Sequence, residues 1–331
     1  MLTGFLLHPA AALHDPGWGH PEHQGRLRGL VSAVSKDMLT LHDHVAQLEP
    51  RSATEEEILR VHDRDYMERV QSASDRAMEE ERPIPLDSDT LVSGASWDAA
   101  VGSAGAVLTA VDGVGKGLIR NAFVGTRPPG HHATSSRAMG FCLFNHVAVG
   151  ARYVQDQGLG RRVLIVDWDV HHGNGTQEIF YEDGTVFYLS LHQAPHYPGT
   201  GSPDETGAGA GKGSTLNVTL PPGASREEYR DRFGDALGKA RERFDPDFIF
   251  VSSGFDVLKD DPLGGQAVEP EDLFGFTREV MALAEENAGG RLVVLLEGGY
   301  VPERVGAGTV SVLRALAGLE MPTWPFSLQQ G

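Results

Sequence analysis

Seven short runs of β-branched and apolar residues recur along this chain, at 3–8, 121–126, 162–168, 185–191, 215–220, 247–253 and 291–297, each closed by turn residues. Helix-compatible stretches lie between most of them, at 97–111, 145–157, 226–244, 270–286 and 302–316. Strands alternating with helices read as βαβ units, so the pattern predicts an α/β fold with a central, mainly parallel sheet and helices on both faces. A sheet of that kind binds ligands outside the carboxyl ends of its strands. The chemically suggestive residues fall there: Arg127-Pro128-Pro129-Gly130-His131-His132 after one run, Asp167 to Asn174 after another, Gly254-Phe255-Asp256 after a third and Gly298-Gly299-Tyr300 after a fourth.

The richest of these ends is Asp167-Trp168-Asp169-Val170-His171-His172-Gly173-Asn174, which follows Val163-Leu164-Ile165-Val166. Successive strand side chains point to opposite faces, so Asp167, Asp169 and His171 are predicted to share one side and Trp168 and Val170 the other. Carboxylate oxygen and imidazole nitrogen are zinc donors, and a catalytic zinc needs three protein ligands with one position left open. The segment therefore points to metal-dependent hydrolysis.

A chain of 331 residues with 40% hydrophobic content can bury a large core, and its length admits one or two domains, of which a single α/β domain over 1–331 is the expectation. The formal net charge of −18 argues against a nucleic-acid-binding surface and favours cationic substrates such as lysine-rich peptides or polyamines. A single cysteine, Cys142, forms no intramolecular disulfide. The first residues lack the basic segment and apolar core of a signal peptide, and no run of about 18 apolar residues suggests a membrane span. The expected location is the cytoplasm, with no nucleic-acid or membrane partner. The Gly- and Ser-rich stretch 199–213 reads as a long surface loop. Thr54, followed by Glu55-Glu56-Glu57, has the arrangement of a capping box.

Taken together, His20-Pro21-Glu22, Arg127-Pro128-Pro129-Gly130-His131-His132, Gly140-Phe141-Cys142, Asp167 to Asn174, Gly254-Phe255-Asp256 and Glu297-Gly298-Gly299-Tyr300 resemble, in order, the motifs of the histone deacetylase family. The resemblance runs from about Phe5 to about Leu316 and implies the arginase/deacetylase fold. It implies one catalytic zinc held by Asp169, His171 and Asp256. It also implies that His131 donates to Asp167 and His132 to Asn174, beside the attacking water. Many members have Asp where this chain has Asn174; Asn is the pattern of the class II branch. A neutral partner leaves His132 easier to deprotonate, which assigns it as general base, with the donor of the proton to the amine left open. Tyr300 resembles the tyrosine whose hydroxyl polarises the acyl carbonyl and stabilises the tetrahedral oxyanion.

By the same resemblance, Phe141 and Tyr197 line an acyl-lysine tunnel, Gly140 lets the backbone approach the lysine stem, and Asp89 is the rim aspartate that binds the substrate backbone. Arg26 resembles an arginine near an inner cavity that helps release acetate. The family also binds potassium, which implies an inner site of Asp167, Asp169, His171, Ser190 and Leu191 and an outer one of Phe180, Asp183, Val186 and Ser214. An aromatic commonly stands where this chain has Ser214.

The implied activity is hydrolysis of an Nε-acyl-lysine or a similar acylated amine. An acetylpolyamine amidohydrolase shares the same site. The polyamine-directed branch resembling eukaryotic enzymes has Glu inside its Asp-Pro-x-Gly motif, whereas Asp261-Pro262-Leu263-Gly264 here has Leu, which leans toward acyl-lysine. A non-catalytic reader of acylated lysine is expected to have lost Tyr300, a histidine or a ligand, and none is missing. A two-metal ureohydrolase needs further carboxylates where His131 and His132 stand. The sequence leaves open whether the chain forms a homo-oligomer.

Overall fold

Alternating side chains in the apolar runs find buried surroundings on both sides, as a sheet covered by helices on each face requires. In the strand Val163–Asp167, Leu164 and Val166 join one core while Val163 and Ile165 join another. Ile249 and Val251 separate from Phe248 and Phe250 in the same way. The computed structural model describes residues 1–321; the part of the expected domain at 322–331 lies outside the described residues.

The strands in chain order are β1 (Thr3–Leu6), β2 (Val45–Gln47), β3 (Ile84–Pro85), β4 (Leu91–Val92), β5 (Ala122–Val124), β6 (Val163–Asp167), β7 (Val186–Gln193), β8 (Thr215–Leu220), β9 (Phe248–Ser253) and β10 (Leu292–Leu296). The helices are α1 (Gly25–Lys36), α2 (Met38–Leu41), α3 (Glu55–Ile58), α4 (Arg64–Glu79), α5 (Ser96–Gly115), α6 (His146–Asp156), α7 (Asn174–Phe180), α8 (Arg226–Arg243), α9 (Pro270–Asn287) and α10 (Pro302–Leu316). Eight strands form one parallel sheet in the order β2-β1-β5-β10-β9-β6-β7-β8, and β3 and β4 make a separate antiparallel ribbon. This is the single-domain, helix-flanked parallel architecture that the alternation predicts.

The four strands whose ends carry the suggestive residues, β5, β10, β9 and β6, stand side by side at the middle of the sheet. Helix starts agree with their sequences: Thr54 Oγ1 accepts from Glu57 N–H while Glu57 accepts from Thr54 N–H, which is the expected capping box. Ser225 Oγ accepts from Glu228 N–H at 3.0 Å at the start of α8. Several elements lie outside the sequence expectation: β2, α1, α4 and α7. In α4 the buried Tyr66, Met67, Val70, Ala73 and Ala77 are spaced for one helical face. Helix α7 begins within the Asp167–Asn174 motif itself, at Asn174.

Candidate active site

Strand β6 ends at Asp167, yet its alternation continues past the last ladder residue. Trp168 N–H still donates to Ser252 O at 3.1 Å, and Trp168 and Val170 enter the core while Asp167, Asp169 and His171 take the opposite side. Beyond the strand the chain folds on its own carboxylates: Asp169 N–H donates to Asp167 Oδ1 at 3.1 Å, and His171 N–H to Asp169 Oδ1 at 2.9 Å. These aspartate-to-backbone turns aim Asp169 and His171 at the end of β9, where Asp256 waits.

Ligand atoms of Asp169, His171 and Asp256, all buried, lie within 4.8 Å of one another. The carboxylates are anchored from behind: Gly298 N–H donates to Asp169 Oδ2 at 2.9 Å and Val170 N–H to Asp256 Oδ1 at 3.0 Å. Asp256 Oδ2 is buried without a hydrogen bond, although His171 Nδ1 is 3.3 Å away. Burial opposes ionisation of both carboxyl groups; His131 and His171 hold Asp169 ionised, while the facing charge of Asp169 pushes Asp256 up. A cation between them removes that penalty and gives the orphaned oxygen a partner. Two carboxylates and one imidazole with an open side fit zinc. Asp167 is not part of this group; its Oδ2 takes His131 Nδ1 at 3.0 Å and the Tyr188 hydroxyl at 2.9 Å.

His131 and His132 leave the end of β5 on a turn held by Glu297, whose Oε2 accepts Gly130 N–H at 2.7 Å and His131 N–H at 3.1 Å. Their environments differ. Burial opposes charge on His131, but Asp169 and Asp167 outweigh it and push its pKa up to about 10. For His132, burial together with neighbouring His131 and His171 pushes the pKa well below the usual histidine value. His132 Nδ1 donates to Asn174 Oδ1 at 2.8 Å, which leaves Nε2 as an acceptor. Neighbouring rings with separated pKa values are the arrangement of an acid and a base.

Tyr300 is anchored through its N–H to Asp261 Oδ2 at 2.7 Å, and Asp261 Oδ1 accepts Leu263 N–H at 2.9 Å. Burial, with Asp256 nearby, pushes its hydroxyl well above the ordinary tyrosine pKa, so it remains a proton donor. A cavity of about 380 Å³ leads past Phe141 and Tyr197 to His132, His171 and Tyr300, with Asp89 and Leu263 among its lining residues. Phe141 meets Tyr300 edge-on at 5.8 Å, and Tyr197 meets His132 edge-on at 5.2 Å. Gly140 has a φ of +57°, and a Cβ there would lie 2.2 Å from His132 Cδ2, so only glycine lets the wall close on the histidine. Asp89 Oδ1 accepts Gly140 N–H at 3.0 Å, which ties the mouth to the tunnel wall.

A family model described as the histone deacetylase domain matches residues 20–316. This chain belongs to that family. Among similar proteins, a probable deacetylase of Archaeoglobus fulgidus is 36% identical over 97% of this chain and 88% of its own length. A histone deacetylase-like amidohydrolase of Pseudomonas aeruginosa is 38% identical over 96% of this chain and 80% of its own. The crystal structure of an HDA15 HD domain superposes with a TM-score of 0.87 at 34% identity, covering 96% of this chain and 91% of that one.

In this histone deacetylase-family chain, Asp89, Gly140, Phe141, Tyr197 and Leu263 line the cavity, but Arg26 does not. Arg26 is wholly buried behind Tyr300, donating to Glu22 and to the carbonyls of Gly299 and Glu297. Ser190 pairs in register with Asp167, Leu191 follows it on β7, and Ser190 Oγ contacts His192 Nδ1 at 2.9 Å. Phe180, Asp183, Val186 and Ser214 are contiguous: Asp183 N–H donates to Phe180 O, and Val186 N–H and Ser214 Oγ donate to Asp183 O. Sequence reasoning assigned no role to Tyr188, Glu297, Asp261 or Glu22. Glu297 and Glu22 stand inside recognised motifs, which was the available signal; Tyr188 is hidden in an apolar strand.

Proposed function

We propose that this protein is a zinc-dependent amidohydrolase that removes acetyl, or another acyl group, from the Nε of lysine. The observation that carries the reading is the aromatic slot ending at Tyr300, His132 and the Asp169–His171–Asp256 group. Zinc held by those three residues would supply Lewis-acid polarisation and acidify water. His132 Nε2 takes a proton from the attacking water, and the Tyr300 hydroxyl donates to the acyl oxygen as it becomes an oxyanion. His131, whose Nδ1 is held by the Asp167 carboxylate, steadies the negative charge that develops, and the histidine pair returns a proton to the amine. Asp89 at the mouth accepts substrate backbone N–H groups. Potassium at the inner and outer positions, and a cytoplasmic location, belong to the same reading.

A second reading, an acetylpolyamine amidohydrolase, is favoured by the net charge of −18, which attracts oligocations. Leu263 on the wall offers no anion for a second ammonium and favours lysine. The deciding assay compares turnover of an acetyl-lysine peptide, N-acetylputrescine and N-acetylspermidine by the zinc-loaded protein. The peptide is expected to be preferred, and Tyr300→Phe to lower its turnover by about 10²- to 10³-fold, the cost of one oxyanion donor. Preference for the polyamines refutes the lysine assignment; near-normal turnover by the variant refutes the role of Tyr300.

A further inference from the structure

Two wholly buried arginines stand behind the reaction site, and one carboxylate joins them. Arg26, on α1, has its guanidinium carbon 5.0 Å from the centre of the Tyr300 ring. Its Nε and Nη2 donate to the carbonyl oxygens of Gly299 and Glu297. Those carbonyls flank Gly298, whose N–H holds Asp169 Oδ2. Arg127 opens the loop that carries His131 and His132, and its Nη1 donates to the carbonyls of Ala11 and His14 at 3.0 and 2.7 Å. Glu22 lies between the two. Its Oε1 accepts from Arg26 Nη1 and from Arg127 Nε, each at 2.8 Å.

We infer that Glu22 is a positioning residue, a single carboxylate oxygen that clamps the Tyr300 loop to the His131–His132 loop and so sets the distance between oxyanion donor and base. The inference rests on the hydrolase reading for its kinetic consequence. Guanidinium direction is the transmitting element: Arg26 spends its remaining donors on backbone carbonyls of the Tyr300 loop, while Arg127, itself the first residue of the His131–His132 loop, spends its own on the carbonyls of Ala11, His14 and Glu22, so neither side chain can turn without straining the loop it holds or belongs to. Glu297 makes the same connection from the other side, since its carbonyl accepts Arg26 while its carboxylate holds Gly130 N–H and His131 N–H. Glu22 is the member that belongs to neither loop and reaches each only through an arginine, which makes it the cleanest place to open the clamp.

Glu22→Gln keeps the size of the side chain and removes the charge that holds two guanidinium groups. Misplacement on the scale of 1 Å costs about 10²-fold in rate, so kcat is expected to fall by about 10- to 100-fold with KM within about threefold of wild type. Residues that act as a unit are non-additive, so in a Tyr300→Phe background the further loss should shrink to less than about threefold. Amide hydrogen exchange is expected to speed up at Gly130–His131 and Gly298–Tyr300 together. Glu22→Asp retains the charge but is too short to meet both arginines, and should show the same pattern if Glu22→Gln does not fold. Unchanged kcat, an equal loss in both backgrounds, or unchanged exchange in both segments overturns the inference. So does failure of both variants to fold, which would make Glu22 a stability residue. A wild-type protein that hydrolyses no acyl amide overturns the hydrolase reading instead, and the exchange measurement still decides whether Glu22 joins the loops.

Discussion

Gly298→Ala isolates the metal cradle from the rest of the fold. The φ of Gly298 is not in the positive region, so alanine brings no backbone strain, but its Cβ would lie 2.0 Å from Asp256 Oδ2 and 2.8 Å from Asp169 Oδ2. Asp256 must withdraw by about 1 Å, whereas metal–ligand distances tolerate about 0.2 Å. Disturbing the groups around metal ligands weakens affinity by about 10- to 100-fold. Zinc at 1,000 times the wild-type Kd stabilises the fold by about 4.1 kcal/mol; a 100-fold weaker site at the same concentration retains about 1.4 kcal/mol. With about 2 °C of Tm per kcal/mol in a chain of this size, the zinc-induced shift should drop from about 8 °C to about 3 °C. The assay is differential scanning fluorimetry of metal-free protein with and without zinc, alongside chelator competition for Kd. Gly275→Ala in α9, where an added Cβ meets nothing within 4 Å, serves as the control. A Gly298→Ala protein that keeps the wild-type zinc shift refutes the assignment of Asp169 and Asp256 as ligands.

Asn174→Asp places a charge 2.8 Å from His132 Nδ1, opposing the burial that keeps this ring neutral, and an adjacent carboxylate raises a histidine pKa by about 1 to 3 units. A base works only when deprotonated, so the acid limb of the kcat/KM profile should move to higher pH, with activity lost near pH 6 before pH 8; an unmoved limb removes His132 as the base. Thr54→Ala deletes the capping box at α3 and is expected to cost about 1 kcal/mol by urea denaturation, with no change in turnover.

Strands β6, β9 and β10 were legible because burial on both faces leaves long apolar runs with little else to become. Asp169 and His171 were legible for a local reason, since alternation put them on one side even beyond the ladder. Asp256 and Tyr300 were legible as polar groups at strand ends, but their roles came only through resemblance, because nothing near them in the chain tells which strands stand together. Glu297 and Glu22 stood inside the motifs that carry the resemblance but received no role, and Tyr188 lacked even that: each acts on groups many residues away, and their own surroundings read as glycine turn, loop and strand. Helix α4 was missed although its apolar stripe of Tyr66, Met67, Val70, Ala73 and Ala77 marks it, whereas α7 starts inside a motif whose ligand pattern masks the helical one. Arg26 was legible as a motif residue, but its place behind Tyr300, with its donors on Glu22 and the carbonyls of Gly299 and Glu297, comes only from the three-dimensional arrangement.

Asp169 and His171 follow β6 and Asp256 follows β9, a placement with a consequence for how the protein matures. These strands are neighbours in the sheet but are separated in the chain by α7, β7, β8 and α8, and Tyr300 arrives only after β10. Parallel pairing of distant segments is slow, since loop closure must be met before any contact rewards it. No nascent or half-assembled chain therefore owns the cluster; Asp169 and His171 alone are a weak site. On the proposed reading of the site, high-affinity metal capture would have to await the docking of β9, and metal supplied during synthesis would have nothing firm to hold before then.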